Sequence, residues 1–376
     1  MIRPKYFATR FHVVSIVVIG VIMPTTLGVV HAQHAEFLFS FGGSGAGNGK
    51  FNQPEGLALD SNGRLYVSDS NDRVQIFNPD GTFVSSFGGH GSAPGQFSQP
   101  KEIAIDDAGT IYVAEWFNER VQVFSAPGVF KLAFGIEGSD AGQFRGPHGI
   151  DVADNGDIYV ANRFNSHVNV FDNTGVFRTA FGTNGTGDGQ FNQPIGIVLD
   201  GLGNSYVTDL FNHRVQVFDS AGNFKFRFGT QGSGNGQLSF PVGIALDEAG
   251  RVFVSEEGNG RVQVFDPQGN FLFKFGSFGI ANGIAVGGSR VYVADHGSHT
   301  ISVFLVVPEP HAVFLLAGAA IPVTFSFRRR SPATGRGCAW ATLGGERLAP
   351  SPSKWRETER LAIPSLGTNK GDAAAL

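Results

Sequence analysis

One structural unit recurs six times along the chain, and this repetition limits the possible folds more than any single residue does. Its clearest copy, Ser205–Phe218, has two short runs of β-forming residues on either side of a polar turn that holds an acid, an asparagine and an arginine. Three close copies and two divergent ones occupy Ile111–Phe124, Ile158–Phe171, Val252–Phe265, Leu65–Phe77 and Val291–Phe304. The chain is therefore predicted to be a repeat protein.

Each period predicts four antiparallel strands, which we label a to d in chain order. Strand a opens with a Pro-x-Gly-Ile-like sequence at five prolines that are 46 or 47 residues apart, namely Pro54, Pro100, Pro147, Pro194 and Pro241. A Tyr-Val strand, a Val-Gln-Val-Phe strand and a Phe-x-Phe strand follow, separated by tight turns such as Asn62-Gly63. Such turns supply the positive φ angles that hairpins need. Six four-stranded units predict an all-β fold, a six-bladed β-propeller.

The sixth period is irregular and indicates how the ring closes. Its strand a, Ala281-Asn282-Gly283-Ile284, starts 40 residues after the fifth and lacks the proline. The last period ends after strand c at Phe304, whereas the outer-strand sequence Phe37–Phe41 precedes every strand a. We therefore expect Phe37–Phe41 to complete the last blade, which removes the open end of a linear repeat array.

The Pro-x-Gly-Ile start, the Tyr-Val-x-Asp strand and the Asn-x-Arg-Val-Gln-Val-Phe strand resemble NHL repeats, and the resemblance covers about Phe37–Phe304. It implies a six-bladed propeller, in agreement with the strand count. NHL-repeat proteins include sensors, protein- and RNA-binding modules and a few zinc-dependent lyases. The resemblance therefore predicts a fold but not one function.

Charge and cysteine content exclude several classes of protein. Residues 37–304 contain 16 Lys and Arg against 26 Asp and Glu, a balance that argues against nucleic-acid binding. The single cysteine, Cys338, allows neither an internal disulfide framework nor a cysteine-based zinc module. The sequence also has no nucleophile elbow, P-loop or His-Glu-x-x-His motif. We expect a monomeric propeller over residues 33–304.

The first 32 residues resemble a secretory signal peptide. Three basic residues, Arg3, Lys5 and Arg10, precede the apolar run Val13–Met23, and Val30-His31-Ala32 supplies small residues at a cleavage site. An uncleaved membrane anchor is the alternative. Both interpretations predict that the propeller is exported.

A three-part segment at residues 305–330 resembles the bacterial PEP-CTERM sorting signal. It contains Pro308-Glu309-Pro310, an apolar run at residues 311–327 that is predicted to span a membrane, and Arg328-Arg329-Arg330. The resemblance implies processing by an exosortase-type enzyme and delivery to the cell surface or extracellular matrix. The 46 residues that follow depart from the family pattern, and we interpret residues 331–376 as a disordered extension.

One face of the predicted propeller carries the b–c turns and d–a loops, and we call it the loop face. The d–a loops, such as Gly42–Gln53, are expected to be long and variable, so this face is the predicted functional surface. Its candidate binding residues are Glu55, Lys101, Glu102, Trp116, Phe117, His148, Arg163, Phe164, Leu210, Phe211, Glu257 and His296. The aromatic members favour a protein or glycan partner. Alternatively, their rings tuck under the neighbouring loop.

An acid follows the Tyr-Val strand in five periods, and two interpretations compete. The acids could bind calcium around the channel mouth, or they could form structural ion pairs with arginines of the same turn, namely Asp69–Arg73, Glu115–Arg120, Asp209–Arg214 and Glu256–Arg261. The third period has Asn162 for the acid and His167 for the arginine. Because both members change together, the ion-pair interpretation is favoured.

The sixth period keeps Asp295 but has Thr300 in place of the arginine, with His296 and His299 nearby. These three residues are a weak candidate set for zinc or copper, and no cofactor is predicted. The leading hypothesis is a non-catalytic propeller that binds a protein or glycan through the loop face. The alternative is a metal-dependent lyase or hydrolase at the axial mouth, near His148 and Asp295.

Overall fold

The computed structural model describes residues 32–308, which form 26 β-strands and one short 3-10 turn at Leu210–Asn212. Within these residues no helix is long and apolar enough to cross a membrane. The described part of the chain excludes residues 1–31 of the predicted signal peptide. It also excludes Glu309, Pro310, the apolar run 311–327 and Arg328-Arg329-Arg330 of the predicted sorting signal, and the extension 331–376.

Six four-stranded antiparallel sheets follow one another, and we number them as blades 1 to 6. Blade 1 contains β2 (Pro54–Leu59), β3 (Leu65–Asp69), β4 (Arg73–Phe77) and β5 (Phe83–Gly88). Blade 2 contains β6 (Pro100–Ile105), β7 (Ile111–Glu115), β8 (Arg120–Ala126) and β9 (Val129–Phe134). Blade 3 contains β10 (Pro147–Val152), β11 (Ile158–Asn162), β12 (His167–Phe171) and β13 (Phe177–Phe181).

The remaining blades repeat this order. Blade 4 contains β16 (Pro194–Leu199), β17 (Ser205–Asp209), β18 (Arg214–Phe218) and β19 (Phe224–Phe228). Blade 5 contains β20 (Pro241–Leu246), β21 (Val252–Glu256), β22 (Arg261–Phe265) and β23 (Phe271–Phe275). Blade 6 contains β24 (Ala281–Gly287), β25 (Arg290–Asp295), β26 (Thr300–Pro308) and β1 (Ala32–Gly42).

The N-terminal strand closes the ring, as the sequence predicts. Strand β1 pairs antiparallel with β26, with Phe41 opposite Ile301 and Phe37 opposite Phe304. The pairing continues to Ala32 opposite Pro308, so the last strand extends four residues beyond the predicted boundary at Phe304. Blade 6 therefore joins the two ends of the described chain.

The hydrophobic core lies between adjacent blades. At the closure, Ile301 and Val303 of blade 6 form one buried cluster with Leu65, Val67 and Phe77 of blade 1. An equivalent cluster joins each of the other neighbouring pairs of blades. The ring is therefore held together by the same side-chain packing at the closure as elsewhere.

A glycine in each of five inner strands lets neighbouring blades approach at the axis. A Cβ built on Gly196 in β16 would meet the carbonyl oxygen of Val242 in the next blade. The same relation holds between the other glycines and carbonyls, namely Gly56 and Lys101, Gly149 and Ile195, Gly243 and Asn282, and Gly283 and Glu55. Blade 2 has Glu102 at this position. The glycine is needed because the next backbone occupies the space of a side chain.

The five long d–a loops share one conformation, which corrects the prediction that they vary. Each makes the same parallel bridge, namely Ser44–Phe51, His90–Phe97, Glu137–Phe144, β14 (Thr183–Asn184) with β15 (Gln190–Phe191), and Gln231–Leu238. In the loop before blade 4, the buried Phe191 packs on Phe218 with ring centroids 5.4 Å apart. This anchor and the bridge fix the loop backbone, so the loops differ in side chains only.

Substitution of Gly196 by alanine is expected to destabilise the propeller by about 1–3 kcal/mol, because the added methyl group meets a fixed backbone carbonyl. Chemical denaturation of the purified protein measures this change. Gly201→Ala is the matched control, since a Cβ there has no neighbour within 4 Å. Equal stability of the two variants would contradict the role assigned to the inner-strand glycine.

Candidate functional site

The structure brings together all four predicted acid–arginine pairs. In blade 4, Arg214 Nε lies 2.9 Å from Asp209 Oδ2. The other distances are 3.3 Å for Asp69–Arg73, 2.6 Å for Glu115–Arg120 and 2.6 Å for Glu256–Arg261. All four acidic side chains are fully buried.

Each pair also holds the d–a loop above it. The Arg214 guanidinium donates to the carbonyl oxygens of Thr186, Gly187 and Gln190 at 2.7–2.9 Å. Burial raises the pKa of Asp209, and hydrogen bonds, the first from the backbone N–H of Asn192, oppose this shift. The carboxylates are therefore occupied by protein donors, and this geometry supports the ion-pair interpretation over a ring of calcium ligands.

Blade 3 attaches its polar turn to the d–a loop with neutral side chains. Asn162 accepts a hydrogen bond from the Arg145 N–H at 2.8 Å and donates to the Gln143 carbonyl at 2.8 Å. Its amide nitrogen lies 3.3 Å from His167 Nε2. Exchange of both members therefore keeps the turn attached to its loop without a buried charge.

The structure separates the three weak metal candidates in blade 6. Backbone N–H groups of Gly279, Ile280, Gly297 and Ser298 donate to the Asp295 carboxylate at 3.1–3.2 Å. Burial raises the pKa of Asp295, but these hydrogen bonds outweigh it and hold the pKa below its usual value.

His299 has a structural partner instead of a metal. Its Nδ1 accepts a hydrogen bond from the Gln53 N–H at 2.9 Å, which connects blade 6 to blade 1 at the closure. Among residues 32–308, no group of three or more His, Cys, Asp or Glu side chains is arranged to hold a metal ion. The residues present therefore do not fit the metal of the predicted metal-dependent alternative.

A cavity of about 150 Å³ lies on the propeller axis at the loop face, and we call it the axial pocket. The second residue of each inner strand lines it, one from every blade, namely Glu55, Lys101, His148, Ile195, Val242 and Asn282. The first residue after strand b adds a second ring from blades 2 to 6, namely Trp116, Arg163, Leu210, Glu257 and His296. Only the axis brings equivalent positions of all six blades together.

Hydroxyl groups of the second strands fix the pocket backbone. Thr208 Oγ1 accepts from the Gly196 N–H at 2.7 Å and donates to the Val242 carbonyl at 2.8 Å. Ser68 makes the equivalent bond to the Lys101 carbonyl, and Ser255 to that of Asn282. These contacts hold three pocket residues in place from the preceding blade.

The charged groups of the axial pocket are partly paired. Lys101 Nζ lies 2.6 Å from Glu55 Oε1, and Asn282 Nδ2 donates to Glu55 Oε2 at 2.9 Å. Burial, followed by the charges of Lys101 and Arg163, holds the pKa of His148 well below its usual value. The imidazole is therefore neutral at pH 7.

Three buried polar atoms in the axial pocket have no hydrogen-bond partner within the described chain. They are His148 Nδ1, Asn282 Oδ1 and His296 Nε2. His148 is 5% exposed and Asn282 is 8% exposed. Because buried polar atoms are nearly always paired, this concentration at one place indicates a binding site.

Aromatic side chains surround the axial pocket on the loop face. Phe117 is 65% exposed, Phe164 42% and Phe211 43%. The Trp116 ring lies 5.9 Å from that of Phe117 and 5.7 Å from that of Phe164. Phe211 packs edge-on against Phe240 at 5.8 Å. The rings thus contact one another and their loops on one side but remain open to solvent on the other.

Glu102 lies in the channel and not at the loop face, which corrects its place among the binding candidates. The channel cavity of about 220 Å³ is lined by later residues of the inner strands, including Glu102 and Asp151. Burial, followed by the charge of Glu55, raises the pKa of Glu102 to about 8. Burial raises the pKa of Asp151 to about 6. Glu102 is therefore largely protonated at pH 7.

A larger cavity of about 500 Å³ opens on the opposite face, which carries the a–b and c–d turns. Two of its four carboxylates, Asp60 and Asp106, are bound by their own turns, and within the described residues none of its buried polar atoms lacks a partner. Asp60 accepts from the N–H groups of Asn62 and Arg64 at 2.9 Å, and Asp106 accepts from that of Thr110 at 2.7 Å. The smaller axial pocket is therefore the better candidate site.

Three pocket residues, Ile195, Val242 and Asn282, are absent from the predicted set. Their signal is positional, because they occupy the same second place in strand a as Glu55 and His148. The other pocket residues, apart from Leu210, are polar or aromatic, and this character pointed to them in the sequence. Aligning the six periods by position would have found the complete ring.

Replacing Glu256 by glutamine is expected to lower the free energy of unfolding by about 2–4 kcal/mol, because Arg261 stays buried without its counter-charge. Chemical denaturation measures the loss. The double variant Glu256→Asn with Arg261→His copies the neutral pair of blade 3 and is expected to lose less. A loss below about 0.5 kcal/mol for Glu256→Gln, typical of a surface ion pair, would contradict this role.

Comparisons with known proteins agree with the architecture. Residues 54–131 match a family described as 6-bladed beta-propeller, and residues 144–171, 191–218 and 238–265 match the NHL repeat. Protein lin-41 of Caenorhabditis elegans is 37% identical over 67 residues, which are 16% of this chain and 6% of that protein. The chain therefore spans only a small part of this relative.

Two solved structures share the fold at low sequence identity. Virginiamycin B lyase from Staphylococcus aureus is 14% identical with a TM-score of 0.51, over 68% of this chain and 96% of that one. A gluconolactonase from Xanthomonas campestris is 18% identical with a TM-score of 0.55, over 74% and 99% of the two chains. Similarity at this level extends to the fold alone. The chain is a six-bladed β-propeller that contains NHL repeats.

Proposed function

We propose that the chain is a non-catalytic binding module whose loop face binds a glycan or protein partner. The observation that carries this proposal is the group of exposed phenylalanines, Phe117, Phe164 and Phe211, on three consecutive blades beside the axial pocket. Exposed aromatic side chains around a polar cavity are typical of surfaces that bind partners.

The charge distribution around these rings supports the same function. Lys101 Nζ lies 4.8 Å from the Trp116 ring centroid, and the Arg163 guanidinium carbon lies 5.1 Å from it. Two cations therefore hold the indole by cation–π contacts. The rigid loops beneath the surface lower the conformational entropy that binding would cost.

Replacing Phe117, Phe164 and Phe211 by serine is expected to weaken binding to immobilised acidic polysaccharide at least about tenfold, because hot-spot aromatics contribute more than about 1 kcal/mol each. Surface plasmon resonance with the purified full-length protein measures the change. The melting temperature is expected to fall only slightly, because the three rings are 42–65% exposed and only one side of each packs against neighbouring rings and loops.

The matched control changes Val129, Val176 and Leu202 to serine, since these exposed apolar residues lie in or directly beside turns of the opposite face. Binding of this control should equal that of the unchanged protein. Equal binding by the two triple variants would contradict a partner on the loop face.

We also infer that the propeller is exported and held at the cell surface or in the extracellular matrix. The support comes from the sequence of residues 1–32 and from Pro308-Glu309-Pro310, the apolar run 311–327 and Arg328-Arg329-Arg330. An exosortase-type enzyme is the proposed processing partner. In this setting a polysaccharide would be the most abundant ligand for the loop face.

Deletion of residues 309–330 is expected to release the propeller into the medium of an expressing bacterium that has an exosortase. The deletion starts after Pro308 because strand β26 continues to that residue and pairs with Ala32. Immunoblotting of cell and medium fractions measures the distribution. Retention of the shortened protein in the envelope would contradict the sorting function of this segment.

A further inference from the structure

We propose that the axial pocket binds one carboxylate-bearing sugar ring, a uronate at the end of an acidic glycan. This inference deepens the proposed function and relies on it for the glycan as partner. Its basis is the lining of one cavity. Among the described residues, this lining contains an arginine without an ion pair, three polar atoms without hydrogen-bond partners and an apolar wall.

Arg163 supplies the group that would bind the carboxylate. Its Nε donates to Gln193 Oε1 at 2.8 Å, which fixes the guanidinium. Nη1 and Nη2 have no hydrogen-bond or ion-pair partner among residues 32–308. Since a guanidinium binds a carboxylate through parallel N–H groups, this fixed fork selects an anion with two oxygens.

The other charges in the axial pocket leave this cation available. Lys101 is paired with Glu55, whose second oxygen accepts from Asn282. Glu257 is exposed at the rim and forms no ion pair within the described residues. Solvent screens the charge of such a residue. Arg163 is therefore a half-buried cation without an ion pair among residues 32–308. The charges of Glu257 and Glu55 act on it from a distance, and its unpartnered Nη1 and Nη2 groups match one carboxylate.

The unpartnered atoms provide the contacts for hydroxyl groups. Asn282 Oδ1 accepts hydrogen bonds only, whereas Nδ1 of the neutral His148 imidazole accepts or donates according to its tautomer. His296 Nε2 is the third unpartnered atom. A carboxylate without hydroxyl groups would leave these atoms unsatisfied. The set therefore indicates a ligand that carries several hydroxyl groups in addition to its charge.

The size and walls of the axial pocket indicate a single ring. A cavity of about 150 Å³ holds a benzene-sized ring, so the substituents of a sugar ring would extend into the opening at the loop face. Ile195, Leu210 and Val242 form an apolar side, suited to the C–H groups of a sugar. The opening at the loop face, beside Phe117 and Phe164, leaves room for the rest of a glycan chain. A terminal uronate combines these properties.

Calorimetric titration of the full-length protein with free glucuronic acid tests the proposal. We expect a Kd of about 1 mM or tighter, and at least about tenfold weaker binding of glucose, which lacks the carboxylate, and of acetate, which lacks the hydroxyl groups. Glucose or acetate binding as tightly as glucuronate would overturn the proposal, as would the absence of glucuronate binding at about 10 mM.

Two variants assign the binding to the axial pocket. Arg163→Gln is expected to weaken glucuronate binding at least about tenfold, and Asn282→Leu is expected to weaken both glucuronate and glucose. Arg227→Gln is the control, because this arginine lies on the outer strand β19 and pairs with Asp188. Unchanged glucuronate binding by a folded Arg163→Gln variant would overturn the site.

The two proposals fail separately. Loss of polysaccharide binding in the phenylalanine triple variant, without any glucuronate binding by the unchanged protein, would overturn the pocket and keep the loop-face function. Glucuronate binding with equal polysaccharide binding by both triple variants would support the pocket and contradict the role of the aromatic residues.

Discussion

The close approach of neighbouring inner strands determines where every residue of the axial pocket lies. In five blades the inner strand has a glycine, and a backbone carbonyl of the next blade occupies the space that a side chain would need. The Val242 carbonyl, for example, lies against Gly196. The hydroxyl groups of Ser68, Thr208 and Ser255 then bind three of these carbonyls. The narrow axis and its polar ring therefore depend on one glycine in each of five blades.

The acid–arginine pairs fix the d–a loops that lie around the axial pocket. Arg214 and its equivalents attach a loop of nearly constant backbone to four of the six blades, which fixes these loops around the axial pocket. Blade 3 shows that attachment does not require charge, since Asn162 binds the backbone of Arg145 and Gln143 in its loop. Any difference in binding between positions on this face must then come from side chains such as Phe117 and Arg163.

The fold could be predicted in detail because the signals are local and repeated. Turn glycines, β-forming runs and the isolated Phe37–Phe41 strand were sufficient to give six blades and their closure. Constancy of the d–a loops was harder to predict, since it depends on Phe191 and Arg214, which contact the loop from other strands.

The candidate site was predicted only where residue chemistry revealed it. Ile195 and Val242 are apolar, so their residue type does not distinguish them from core residues. Asn282 belongs to the strand a that begins with alanine instead of proline, which made its position harder to recognise. Glu102 is one residue beyond Lys101, yet its surroundings in the channel raise its pKa to about 8. Sequence places a residue on a strand, but distances between blades decide its electrostatic environment.

The central claim is that a ligand satisfies the unpartnered atoms of the axial pocket, and the imidazole of His148 reports this most directly. In ¹⁵N NMR spectra of the full-length protein, we expect the signals of a neutral His148 imidazole at pH 7. Saturation with glucuronate should shift the Nδ1 resonance. The exposed His90, which contacts Asp72 outside the pocket, should keep its resonance. An unchanged His148 resonance at saturation would contradict the account.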